Sequence, residues 1–230
     1  MSVHHDITEV ITIARVIPVL TVESPDAAVH VCRALHAGGI PIAEITFRTP
    51  SAAECIRAAV DALPEMIIGA GTVLRPEQAD AAKAAGAQFL VAPGLNPHVV
   101  RHANTIGLPM IPGVCTPTEI EAALELSKTL LKFFPAEASG GLKMLSALAA
   151  PYIPAGVRFI PTGGITPDNL RDYLAHPAVA AVGGTWLATP ALIQAADWPA
   201  IEQNARAVTQ RIQWKREGGA PARPHASPKP

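Results

Sequence analysis

Three groups of residues in this sequence are of types and spacings that could do chemistry. The first is Lys132, set in the apolar run Leu130-Leu131-Lys132-Phe133-Phe134-Pro135. Proline cannot donate to a ladder, so the run reads as a short buried strand that stops at Pro135. Side chains alternate along a strand, which puts Leu130, Lys132 and Phe134 on one face and Leu131 and Phe133 on the other. An amine taken out of water holds its proton less tightly, and a neutral amine can condense with a ketone. A lysine near a strand end can also do no more than lift its head to water, and this stretch alone leaves both readings open. The second group is Glu44, Thr46 and Arg48, which alternate with Ala43, Ile45 and Phe47. In a parallel sheet with helices outside, that alternation points the three polar groups into a closed interior, where they could also form a structural polar layer. The third group is the pairs Gly163-Gly164 and Gly183-Gly184, where bare backbone lets N–H groups approach an anion closely.

The elements that would position these groups alternate along the chain. Short apolar runs predict strands over 16–22, 42–48, 66–70, 88–91, 109–111, 130–134, 157–160 and 179–182. Helical patterns follow each one, the first with Ser24 as cap, Pro25 at its first position and Gly38-Gly39 at its end. A leading helix is expected over 6–14, and the last helical pattern, 190–215, is interrupted at Pro199. Eight βα units in about 200 residues predict an α/β protein, a single-domain (β/α)8 TIM barrel over 1–216. In such barrels chemistry sits at the C-terminal ends of the strands, and the glycine pairs follow strands seven and eight, where phosphate is commonly held. The segment 217–230 is rich in glycine, proline and polar residues and predicts a disordered tail.

Composition removes several classes of function. Hydrophobic residues make up 49% of the 230-residue chain and aromatics only 4%, so the core must be aliphatic. A formal net charge of −1, from 18 basic and 19 acidic residues, gives no electrostatic case for nucleic acid or an anionic membrane. The N-terminal segment lacks an apolar signal core, and no uninterrupted apolar stretch approaches the ~20 residues of a membrane helix. Three widely spaced cysteines, Cys32, Cys55 and Cys115, predict reduced thiols and a cytoplasmic protein, with Cys115 as a packing residue.

Five segments together resemble one family: Ala43-Glu44-Ile45-Thr46-Phe47-Arg48-Thr49, Gly69-Ala70-Gly71-Thr72-Val73, Lys132-Phe133-Phe134-Pro135-Ala136-Glu137, Pro161-Thr162-Gly163-Gly164-Ile165 and Gly183-Gly184-Thr185-Trp186. Their order and spacing resemble those of the 2-keto-3-deoxy-6-phosphogluconate (KDPG) aldolases, class I aldolases of the Entner-Doudoroff pathway that also cleave 4-hydroxy-2-oxoglutarate. Thr185 stands where serine is common in that family. The resemblance implies a Schiff base on Lys132, a proton shuttle at Glu44, and a pyruvyl carboxylate held by Arg48 and Thr72. It further implies that Thr162 meets the substrate hydroxyl and that Gly163, Gly164, Gly184 and Thr185 cradle phosphate. Phe134, on the face of Lys132, would wall the pocket. No cofactor or metal is implied; the partner is a phosphorylated 2-keto acid, with no nucleic acid and no membrane, and the assembly is a homotrimer.

Other candidates compete with this reading. His98 and His102 stand four apart on a predicted helix, a spacing able to hold a metal, but no third ligand pattern accompanies them and a solvated face is the expectation. Lys83, Lys128 and Lys143 lie on or beside helices and are expected to face solvent. An isomerase on a phosphate-binding barrel would keep the glycine pairs without needing a buried lysine. A catalytically silent phosphate-binding barrel would do the same.

Overall fold

Four helices open on the same two-residue signal, a capping side chain followed at once by proline. Ser24, Asn96, Thr116 and Thr189 each accept a hydrogen bond from a backbone N–H of the first turn, and Pro25, Pro97, Pro117 and Pro190 occupy the first helical position. Proline costs nothing there, because that N–H has no helical partner and its φ is already set. At Thr116 the signal is reciprocal, with Glu119 returning a bond to the Thr116 N–H at 2.9 Å.

The structure is a computed structural model and describes residues 7–216. Its elements are α1 (Ile7–Ala14), β1 (Val16–Leu20), α2 (Pro25–Ala37), β2 (Ile42–Thr46), α3 (Ala52–Ala62), β3 (Ile67–Gly71), α4 (Pro76–Ala84), β4 (Leu90–Val91) and α5 (Pro97–Thr105). There follow β5 (Met110–Ile111), β6 (Gly113–Val114), α6 (Pro117–Glu125), β7 (Leu130–Phe133), α7 (Gly141–Ala149), β8 (Arg158–Pro161), α8 (Leu170–Ala175), β9 (Val182–Gly184), α9 (Pro190–Gln194) and α10 (Trp198–Arg216). The expected tail, 217–230, and residue 6 of the expected leading helix lie outside the described residues.

All strands pair in parallel, in the orders β5-β4-β3-β2-β1-β9 and β6-β7-β8. Bridges from Phe159 to Val179 and from Thr162 to Gly183 join the β8 side to the β9 side. The sheet is therefore strongly curled, and its two ends lie beside one another. Helices cover the outside through an aliphatic and alanine-rich core that includes Val31, Leu35, Ile56, Ala59, Val99 and Ile120.

Several boundaries differ from expectation for local reasons. The fifth strand is two segments, β5 and β6, because Pro112 lacks the N–H to carry the ladder through, although its carbonyl accepts from Lys132 N–H at 2.9 Å. Strand β2 ends at Thr46, so Phe47 and Arg48 lie in a turn. The hydroxyls of Thr46, Thr49 and Ser51 donate to the carbonyls of Leu20, Val22 and Glu23 at 2.9, 2.9 and 2.8 Å and draw that turn against the end of β1. The eighth strand falls at Val182–Gly184 rather than 179–182. The break in the last helical stretch lies at 195–197, where Ala196 takes φ +50, and Pro199 is the second residue of α10.

Candidate active site

Among the described residues, tyrosine apart, four polar or charged side chains are buried: Glu44, Thr46, Lys132 and Thr162. Burying a charge in an aliphatic interior is costly unless the group is paired or used, so the two charged residues, Glu44 and Lys132, mark the candidate site. Lys132 projects from β7 and Glu44 from β2, strands that lie in different ladders of the curled sheet. Both side chains must therefore point into its interior, and Lys132 Nζ stands 3.6 Å from Glu44 Oε1. Exposures of 4% and 3% leave little water at the pair.

That distance is close enough for ion pairing and too long for a hydrogen bond. Glu44 Oε1 is in fact buried without a hydrogen-bond partner, one of three such side-chain atoms among the described residues, with Arg158 Nε and Trp186 Nε1. A buried acceptor left open calls for an explanation, and an incoming donor supplies one. Glycine makes the room: a Cβ on Gly71 would lie 2.6 Å from Glu44 Cγ and Cδ. Lys132 Nζ also lies 5.3 Å from the centroid of the Phe134 ring, so Phe134 walls the amine on the face that strand alternation predicts.

The remaining expected residues gather at the C-terminal ends of the strands. Thr162, directly after β8, donates from Oγ1 to Ile160 O at 3.3 Å, and Gly183 leaves space beside its hydroxyl that a methyl group would fill. Gly163 takes φ +96 and Gly164 φ +82, conformations open to glycine at little cost. A Cβ at Gly163 would lie 3.4 Å from Phe134 Cε2, which ties the glycine pair to the lysine pocket. Thr72, after β3, has φ +56; a β-branched residue held in the left-handed region is an outlier of the kind that clusters at functional sites. Arg48 is exposed, and neither it nor Thr72 bonds to the Lys132–Glu44 pair. Gly184 lies beneath the Trp186 ring, and Thr185 is exposed.

Competing candidates fall elsewhere. His102 Nε2 is 2.7 Å from Asp80 Oδ1 on α4, the backbone N–H of His98 bonds Asn96, and no group of three or more potential metal ligands stands together among the described residues. Lys83 and Lys143 are exposed; Lys128 is half-buried against Asn104, and burial lowers its pKa. Cys115 is half-buried, and its N–H donates to Glu119. A cavity of about 270 Å³ among Thr12, Arg15, Leu170 and Arg211 involves none of the expected site residues.

Sequence reasoning gave no role to Gly71, Glu137, Trp186 or Tyr173. The first three sit inside the segments that carry the resemblance, so their presence there was a signal. Tyr173 carried none, since a helical tyrosine at one position looks like any other core residue.

A buried amine beside an open carboxylate, at the C-terminal ends of parallel strands and near two glycine pairs, is the equipment of a lyase that works through an imine. The comparisons with known proteins agree. Residues 7–204 match the model of the aldolase family described as KDPG and KHG aldolase, KHG being 4-hydroxy-2-oxoglutarate. The 2-dehydro-3-deoxy-phosphogluconate aldolase of Treponema pallidum is 51% identical over 85% of this chain and 92% of its own. The KHG/KDPG aldolase of Escherichia coli K12 is 43% identical over 86% of this chain and 92% of its own. A solved KDPG aldolase from Legionella pneumophila, with pyruvate captured as a covalent carbinolamine, superimposes with a TM-score of 0.85 at 36% identity, covering 89% of this chain and 98% of that one. The chain belongs to the KDPG and KHG aldolase family, lyases that cleave carbon–carbon bonds. No helix among the described residues is long and apolar enough to cross a membrane.

Proposed function

We propose that this chain is a class I aldolase that cleaves KDPG to pyruvate and glyceraldehyde 3-phosphate, and 4-hydroxy-2-oxoglutarate to pyruvate and glyoxylate, with Lys132 as the amine and Glu44 as the proton carrier. The observation that carries this is the 3.6 Å approach of Lys132 Nζ to a Glu44 Oε1 that no other group occupies. Glu44 takes a proton from Lys132, whose lone pair attacks the C2 ketone. The carbinolamine loses its oxygen as water, with Glu44 returning a proton to it, and leaves an iminium. Glu44 then removes the C4 hydroxyl proton; the C3–C4 bond breaks, its electrons enter the iminium, and the aldehyde departs from the enamine. Protonation at C3 and hydrolysis release pyruvate and restore the amine.

In this reading Arg48 and Thr72 hold the pyruvyl carboxylate, Phe134 covers the imine, and Thr162 bonds the C4 hydroxyl. Gly163, Gly164, Gly184 and Thr185 take the phosphate through backbone N–H groups and a hydroxyl. The curled sheet is read as a closed (β/α)8 barrel preceded by a helix, with 110–114 as one strand broken at Pro112, in a single domain over 1–216. A homotrimer in the cytoplasm completes the proposal; its support is the family membership and the reduced, widely spaced thiols.

The test is to incubate the protein with pyruvate and borohydride and measure its mass. One reduced pyruvyl adduct is expected, mapped to Lys132, unchanged by EDTA and absent from Lys132→Ala. An adduct on another lysine, or none, would reject the assignment.

A further inference from the structure

After β7 the chain runs on beside the glycine pair. The N–H of Ala136 donates to Thr162 O at 2.8 Å, and that of Glu137 donates to Gly163 O at 3.0 Å. A trans peptide points its C=O and N–H in opposite directions. Holding the carbonyls of the 162–163 and 163–164 peptides therefore turns the N–H groups of Gly163 and Gly164 the other way. The Thr162–Gly183 bridge aims the Gly163 N–H at the carbonyl of Gly183, in the other glycine pair, and the Gly164 N–H is left for an incoming acceptor. The next peptide is held from its other side, with Asn169 Nδ2 donating to Gly164 O at 3.0 Å.

Glu137 is the centre of this arrangement. Its Cβ and Cγ occupy the space that a side chain on Gly164 would need, with a Cβ there standing 2.5 Å from each. Its carboxylate accepts a hydrogen bond from the Tyr173 phenol, which α8 buries to 1% exposure. Glu137 is itself exposed, so water competes for the carboxylate, and the bond to Tyr173 is what keeps it folded over Gly164. Burial first, and then the bond to Glu137 and its charge, push the phenol above its ordinary pKa, so it remains a protonated donor at neutral pH.

We propose that the Tyr173–Glu137 pair is a clamp that fixes the Gly163–Gly164 backbone and so presents the Gly164 amide to the phosphate of the substrate, setting the preference for phosphorylated over unphosphorylated 2-keto acids. The proposal rests on the aldolase reading given above. Neither residue touches the reacting atoms; both act through the glycine pair and are positioning residues.

Tyr173→Phe in the full chain keeps the ring and removes the donor. With KDPG, KM should rise roughly 3- to 30-fold with kcat within about 2-fold, a range that runs from an ordinary lost hydrogen bond to the low end of one made to a charged group. With 4-hydroxy-2-oxoglutarate, which carries no phosphate, KM and kcat should stay within about 2-fold, and the borohydride adduct with pyruvate should form as in the wild type. Glu137→Gln keeps the carbon chain over Gly164 and a neutral acceptor, so its KDPG KM should lie between the two. It also supplies the measurement if melting shows that Tyr173→Phe does not fold. Equal losses for both substrates, or no loss for KDPG, would overturn the clamp while the adduct still forms. A wild type that forms no adduct would overturn the aldolase reading, and the clamp with it.

Discussion

Gly71 on β3 lies directly against Glu44 on β2, with no space at its Cα for a methyl group. Its φ is not in the left-handed region, so the backbone would accept alanine and the carboxylate would have to give way. Gly71→Ala should therefore turn Glu44 away from Lys132 and lower kcat by about 10²-fold, the scale of an ångström's misplacement. A cooperative melting transition should persist. Unchanged kcat would show that the carboxylate position does not govern turnover.

Glu44→Gln keeps the volume beside Gly71 and removes the proton carrier. The expected fall in kcat is roughly 10²- to 10⁴-fold. A kcat within a few-fold of wild type would reassign Glu44 to a structural layer with Thr46, whose hydroxyl is already committed to Leu20 O.

Thr162→Val tests how the C4 hydroxyl is read. Valine preserves the branched shape beside Gly183 and removes Oγ1, so kcat/KM for the gluco-configured substrate should lose about 1 to 3 kcal/mol of transition-state binding. The galacto epimer, whose C4 oxygen points elsewhere, should lose less. Matched losses in kcat/KM for the two epimers would mean that Thr162 does not discriminate.

The three thiols should differ in reactivity. Burial, with Cys55 nearby, pushes Cys32 from 9.0 up to about 12, and Cys55 is raised by burial as well. At pH 8 a thiol reagent should label half-buried Cys115 and leave Cys32 and Cys55 until the protein is unfolded. The folded pKa of Cys32 lies above its unfolded value, so its contribution to stability is complete below about pH 9 and is lost as pH rises toward about 12. Melting temperature measured across that window should fall, and early labelling of Cys32 would contradict its burial.

Alternation along β2 and β7 was enough to place Glu44, Thr46, Lys132 and Phe134 on one interior, because the period of two is fixed by the pleat. The same alternation overran at Arg48: hydroxyls that bind another strand's carbonyls end β2, and those partners are invisible from local pattern. The segment at Gly113 reads as loop because proline and glycine flank it, yet pairing with Lys132 makes it strand. The space at Gly71 depends on a side chain 27 positions earlier, and the Tyr173–Glu137 bond spans a separation of 36. Neither leaves a periodic trace in the sequence.

The indole of Trp186 rests on Gly184. The chain has three tryptophans, and Trp198 is stacked on His30 at 5.4 Å and an interplanar angle of 11°. Any anion seated on the 183–184 backbone alters the polarity around Trp186. With Trp198 and Trp214 replaced by phenylalanine, emission from this one ring becomes an intrinsic optical gauge of occupancy at that rim, readable without a coupled assay and in variants that no longer turn over.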